Sequence, residues 1–395
     1  EGVVLSQADF AMSKIAANEE FEGNTLRKAI DYFCHLAIAP EFYAQIETND
    51  KKFVNTDYFR LMRWLKDEND DLYDPSYSDM LRVAFTSRFH RGRLADLVGL
   101  LSGRNFEART YEKEIEENSF RLLSEGVKEY MNETHFTRFL MIIRSAGFVD
   151  RSLIRSQNAL NFAYVLYLKL KRDYGNEPRI ETWVRRWFVL SILTGRYSSS
   201  PESNFDRDIR SVNERPFTEF LSDVESAELS DAFWDAGLVQ DLNTSSVNSP
   251  AFKVYLAAQS RLGDQGFLSK DISVRDMLIH HGDIHHVFPK NYLKKLGLTR
   301  GKYNQLANFV YLQQEVNIKI GDAAPTDYLG KVFEQCDGDK PVYGAITDLK
   351  QLHENLEINC LPTEIESYSF DNYEDFLSER RKQMAKKIRD YYWAL

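Results

Sequence analysis

The stretch Asp283-Ile284-His285-His286-Val287-Phe288-Pro289 gathers a carboxylate and two imidazoles within four residues. An imidazole with an ordinary pKa of about 6.5 can take a proton from water near neutral pH. The same side-chain types are ligands for divalent cations. The carboxylate oxygens of Asp283 suit Mg²⁺, and an imidazole such as His285 also accepts Mn²⁺, Ni²⁺ or Zn²⁺. On a strand, alternation places Asp283 and His285 on one face and His286 on the other. That would separate candidate metal ligands from a candidate base. A histidine pair beside a proline is weak by itself, because histidines often satisfy ordinary hydrogen bonds.

The downstream stretch "QLANFVYLQQEVNIKI" strengthens it, with Asn308 and Asn317 nine residues apart. Between them "FVYL" reads as a short strand and "QQEVNIKI" as the start of a helix, giving a hairpin followed by a helix. Asn317 adds an oxygen donor suited to Mg²⁺. Asn308 falls at the hairpin, where asparagine is also a common turn residue. Lys290, Lys294, Lys295, Arg300, Lys302 and Lys319 surround the segment. The whole chain carries a net charge of -10, which repels nucleic acid at long range. A local basic patch of this kind holds phosphates despite that charge.

The segment resembles the core of the HNH (ββα-metal) endonucleases. The resemblance implies that His286 is the general base, that Asn308 is the middle residue of the motif and holds the base strand across the hairpin, and that Asn317 is its last residue. It also implies a divalent metal, Mg²⁺ with Mn²⁺ or Ni²⁺ as substitutes, held by Asn317 with His285, Asp283 or both; His285 is favoured by its place beside the base. Lys290, Lys319 and Lys294 are the expected contacts to DNA phosphates. More broadly, "HHVFPKNYL", "NQLANFVYL" and "VNIKIGDAAPTDYL" resemble the C-terminal nuclease domain of the GmrSD-type, modification-dependent (type IV) restriction family. "GVVLSQADFAMSKIA" and "WFVLSILTGRYSSSPES" are similar to the later part of that family's N-terminal region. The implied activity is hydrolysis of modified or foreign double-stranded DNA in phage defence. The family's "DGQQR" nucleotide motif is absent from this sequence, so nucleotide hydrolysis is not carried over.

The elements that must position these residues are helical. "LRKAIDYFCHLAIAPEF", "NTDYFRLMRWLKDE" and "YSDMLRVAFTSRF" place apolar residues three and four apart, and an acidic loop at Asp67–Asp71 separates the last two. Trp183, Trp187 and Phe188 share one helical face and read as core; Arg196 and Tyr197 follow as a helix cap or an anion contact. The last segment, "YEDFLSERRKQMAKKIRDYYWAL", reads as one helix with an apolar side and a basic, solvated side that includes Arg380. The expected fold class is therefore mainly α, with a small ββα-metal core at about 278–320. The expected division is a helical region at 1–170 and a nuclease domain at 171–395.

At 43% hydrophobic and 13% aromatic residues the composition is that of packed globular domains. Cys34, Cys336 and Cys360 are too few and too scattered for a disulfide framework. With no leader and no membrane-spanning run, the expectation is a cytoplasmic protein without a membrane partner, either a homo-oligomer or bound to a partner defence protein. A first residue other than Met and a helix capped by Ser6 suggest a chain that begins partway through a longer protein. Competing readings are a non-catalytic DNA-binding or scaffold subunit with an inactive HNH core, an RNase, and a zinc site from Cys336, His353 and Cys360 that lacks a fourth ligand.

Overall fold

The computed structural model describes residues 5–67, 72–338 and 340–395. Of the acidic loop expected at Asp67–Asp71, residues 68–71 lie outside the described residues. The chain is mainly α, and the strands among the described residues are two of three residues each. No helix among them is long and apolar enough to cross a membrane. Several helices start where their sequence demands it. Ser6 with Asp9, Ser76 with Asp79 and Ser273 with Asp276 form reciprocal capping boxes that satisfy backbone N–H groups left open by the first turn. The segment "NTDYFRLMRWLKDE" does not form one helix. It breaks into Asp57–Leu61 and a 3₁₀ turn at Arg63–Lys66. The tighter turn, closed by Leu65 N–H to Met62 C=O at 3.0 Å, brings both apolar side chains inward, and both are buried.

Cα packing divides the chain into two units, Glu1–Ile143 with Ser156–Val224, and Arg144–Arg155 with Glu225–Leu395. The first holds α1 (Gln7–Ala17), α2 (Gly23–Ile38), α3 (Tyr77–Phe89), α4 (Lys113–Met131), α5 (Gln157–Tyr174), α6 (Ile180–Leu193) and α7 (Pro201–Glu214). The expected boundary at 170/171 falls inside α5. Helix α3 packs against α2, α4 and α5, and α5 against α6. Aromatic rings fill the space between them: Phe33 meets Tyr130 edge-on at 5.6 Å, and Phe139 stacks on Tyr164 at 4.5 Å. Trp183, Trp187 and Phe188 of α6 are buried core. Arg196 donates to Asp208 at 2.6 and 2.7 Å and lies 5.0 Å over Trp187, while Tyr197 donates to Asp208 at 2.8 Å. The positive charge of Arg196 is thus matched inside the unit, not offered to an external anion.

The second unit holds α8 (Pro250–Leu262), β1 (Ile284–His286), α9 (Lys290–Lys295), α10 (Arg300–Tyr303), β2 (Phe309–Tyr311), α11 (Gln314–Ile320), α12 (Pro325–Cys336), α13 (Leu349–Ile358) and α14 (Tyr373–Trp393). Helix α14 packs on α8 and on the turn that precedes β2. Arg380 departs from the expected basic side of α14. It is 1% exposed and donates to the carbonyls of Ala307 at 2.8 Å and Asn359 at 3.2 Å. Other cations of α14 are matched by carboxylates: Lys387 with Asp264 at 2.5 Å, Lys386 with Asp390 at 2.6 Å and Arg389 with Asp231 at 2.7 Å.

One titration in the first unit links its packing to pH. His90 caps α3 in the left-handed region at φ 55°. Burial, with Lys169 and Arg172 nearby, pushes its pKa down to about 4. The unfolded chain binds this proton at about pH 6.5, so the contribution of neutral His90 is complete above that value and is lost as pH falls towards 4. Asparagine tolerates the same backbone conformation. His90→Asn is therefore expected to flatten the fall of the urea midpoint between pH 7 and about pH 4.5; an unchanged slope would remove His90 from the acid response.

Candidate functional site

Strands β1 and β2 pair antiparallel with Ile284 opposite Tyr311, His285 opposite Val310 and His286 opposite Phe309. Directly opposed residues share a face, so His286 lies beside Phe309, its ring meeting the phenyl edge-on at 5.0 Å. His285 leaves the strand on the other side with Val310. Asp283 sits just before β1 and is exposed. Helix α11 follows β2 after two residues and carries Asn317.

The junction between the strands is held by Asn308, which is fully buried. Its Oδ1 accepts from Phe288 N–H at 2.7 Å, and its Nδ2 donates to the carbonyls of Phe288 at 3.1 Å and Tyr303 at 3.2 Å. Its own carbonyl accepts from Val287 N–H at 2.8 Å. Tyr328 on α12 donates to the Val287 carbonyl at 2.8 Å, and Arg380 takes the Ala307 carbonyl. Buried backbone groups need such partners, and here they are supplied around the end of the strand that carries the histidines. Asn308 has both side-chain polar atoms engaged with backbone.

His286 is half-buried, and its Nε2 lies 2.9 Å from Asn304 Oδ1. Burial lowers its pKa, the Asn304 bond opposes that effect, and Lys290 and His285 add to the lowering. The pKa of His285 is also lowered by burial, against the pull of Asp283. The two rings are thus held towards the neutral form, as both a base and a metal ligand require. His285 Nε2 is buried and has no hydrogen-bond partner among the described residues. No hydrogen bond joins the Asn317 or Asp283 side chain to another described residue, and Asn317 is half-buried.

The donor types fit a divalent cation: an orphaned imidazole nitrogen, an amide oxygen and a carboxylate. No group of three His, Cys, Asp or Glu residues is clustered among the described residues, and Cys336, His353 and Cys360 do not come together. The basic residues are less uniform than their spacing suggests. Lys290 and Lys294 on α9 are exposed, with the Lys290 ammonium 6.0 Å from the Tyr303 ring centre. Lys295 pairs with Asp322, and Lys302 lies 3.6 Å from Glu374. Lys319 is exposed, but it leaves α11 about 200° around from Asn317 at 3.6 residues per turn. It flanks the site rather than facing it. A cleft of about 1100 Å³ in this unit is lined by Asp264, Glu357, Glu379 and Lys387 among others, and by none of the residues named from the sequence motif.

No family model matches the chain, and no solved structure matches it. It is similar to the uncharacterized protein MJ0686 of Methanocaldococcus jannaschii, with 23% identity over 217 residues, 52% of this chain and 36% of that protein. The matched region thus spans about a third of the relative's length.

Two contributors were not found by sequence reasoning. Asn304 stands four residues before Asn308 in "NQLAN", and its pairing with His286 follows from the fold alone. Arg380 reads as one more surface cation until its backbone partners are known. The Asn308 clamp can be tested by stability. Asn308→Ala strips partners from one N–H and two carbonyls, at about 1–3 kcal/mol each, so urea unfolding of the second unit should show a loss of about 3 kcal/mol or more. A loss below about 1 kcal/mol would mean that water or a neighbour replaces the clamp.

Proposed function

We propose that this chain is a metal-dependent DNA endonuclease of the HNH (ββα-metal) kind, acting against modified or foreign DNA in phage defence as the GmrSD-type resemblance implies. The observation that carries this reading is the division of labour at β1. His286 is half-buried, electrostatically biased to neutrality and bonded through one ring nitrogen, while its neighbour His285 presents an orphaned nitrogen on the opposite face. The hairpin-then-helix order adds Asn317, whose side chain is uncommitted among the described residues.

In this reading His286 removes a proton from a water molecule as the water oxygen bonds to the scissile phosphorus. The bond to the 3′ oxygen breaks, and that oxygen later takes a proton from solvent. Asn317, with His285, Asp283 or both, would hold the divalent ion. When bound, the ion supplies positive charge to the phosphorane-like transition state and to the departing oxygen. Lys290 and Lys294, exposed on α9, anchor backbone phosphates near the base; Lys319 contacts the duplex farther along. Asn308 keeps His286 in register through the backbone of Phe288. Partners of this reading are double-stranded DNA and either further copies of the chain or another defence protein.

Nicking of supercoiled plasmid in Mg²⁺, Mn²⁺ or EDTA tests it. The chain is expected to nick with metal and not with EDTA. A general base contributes about 10²–10⁴-fold, so His286→Ala should lose at least about a hundredfold in rate while keeping its fold and DNA binding. Nicking by His286→Ala at the unsubstituted rate rules out the base assignment. DNA binding with no metal-dependent nicking would favour the inactive-core alternative. Asn317→Ala should raise the metal concentration for half-maximal nicking by at least about tenfold, the lower end of what even outer-sphere partners of a metal contribute; an unchanged requirement would remove Asn317 from the ligand set.

A further inference from the structure

We infer that Asn304 is a positioning residue that holds the His286 imidazole in its Nε2–H tautomer, leaving the Nδ1 lone pair as the proton acceptor. The inference rests on the reading of His286 as the base and deepens it. A carboxamide oxygen can only accept. A contact of 2.9 Å between Asn304 Oδ1 and His286 Nε2 therefore requires the hydrogen to sit on Nε2. In neutral imidazole the other nitrogen is then the acceptor, and Nδ1 has no hydrogen-bond partner among the described residues. The nearby charged groups cannot supply the same service. The Lys290 ammonium has only donors, and His285 leaves β1 on the opposite face.

The geometry shows why this contact is held and is not incidental. Asn304 follows α10, with its own N–H bonded to Arg300 C=O at 3.1 Å. The carbonyl of the preceding residue, Tyr303, is captured by Asn308 Nδ2, the same amide nitrogen that holds the Phe288 carbonyl. One buried carboxamide thus ties together the strand that carries the base and the turn that carries its partner. The edge-on contact of Phe309 limits rotation of the His286 ring from the other side. Had Asn304 turned its Nδ2 towards the ring, the hydrogen would sit on Nδ1 and the free acceptor would be lost.

The test is ¹⁵N long-range correlation NMR on the full chain with labelled histidine in EDTA, at about pH 8.5, two units above an ordinary histidine pKa. The His286 signals are identified by their absence from His286→Ala. The unsubstituted chain and Asn304→Asp, which keeps an acceptor oxygen, should show Nε2–H. Asn304→Leu, which removes the acceptor at similar volume, should show a mixture of tautomers. With supercoiled plasmid and Mg²⁺ or Mn²⁺, Asn304→Leu should lose about 10–100-fold in kcat with little change in KM, the size of effect that partners orienting a metal-bound imidazole have, and Asn304→Asp should restore most of it. An Nδ1–H ring in the unsubstituted chain, or undiminished nicking by Asn304→Leu, overturns the inference. An Nε2–H ring that is lost in Asn304→Leu, in a chain that never nicks, supports the hold on the ring and sinks the nuclease reading instead.

Discussion

One buried carboxamide sets the arrangement of the second unit's histidine pair. The strands on either side of it are three residues each, too short to fix their own register. Asn308 compensates by pairing with both the N–H and the C=O of Phe288, as a further strand residue would, and by capturing the end of α10 with a bond that no strand partner could make. Replacing it with a residue of similar size but neither polar atom would leave one buried N–H and two buried carbonyls unmatched. That is why an asparagine, and not a leucine, suits the position. Tyr328 and Arg380 extend the same logic outward by satisfying the carbonyls of Val287 and Ala307 from α12 and α14. Helices that carry none of the candidate chemical groups thereby fix the backbone on which those groups stand.

Charge is managed on two scales. Overall the chain is acidic, and Arg380, Lys382, Lys386, Lys387 and Arg389 of α14 meet carboxylates or backbone, so that helix offers less free positive potential than its composition suggests. Around the histidines the balance is different. Lys290 and Lys294 are exposed, and Lys290 is near enough to His286 to disfavour its protonated form. The same lysine that would attract a phosphate therefore helps keep His286 unprotonated. Desolvation is the larger of the two effects on His286, so the neutral ring is mainly a consequence of packing against Phe309 and its neighbours.

Much of this was legible in the sequence because it is local. The cap at Ser6, the apolar spacing of α2, α3 and α6, the short strand at "FVYL" and the helix after it follow from spacing within a dozen residues. The division of "NTDYFRLMRWLKDE" was not legible, since three- and four-residue spacings coexist there and only the neighbouring helices decide which turn buries Leu65. Arg380 shows the same limit more sharply. In sequence it is one of six cations on an amphipathic helix; its burial depends on two carbonyls that lie 73 and 21 residues away. Asn304 likewise has a partner 18 residues upstream that no periodicity marks.

These non-local partners bear on how such a site could be lost or kept. The candidate metal ligands, His285, Asn317 and Asp283, have no side-chain hydrogen-bond partners among the described residues, and Asp283 is exposed. Their substitution leaves few fold interactions to break. The groups that position His286 are the reverse: Asn308 and Arg380 are buried with their bonds committed to backbone. A chain retaining the second set while losing the first would keep the hairpin, the helix and the exposed lysines, and would still offer a basic surface to a phosphate backbone. The framework is therefore separable by physical construction from the groups proposed to carry the chemistry.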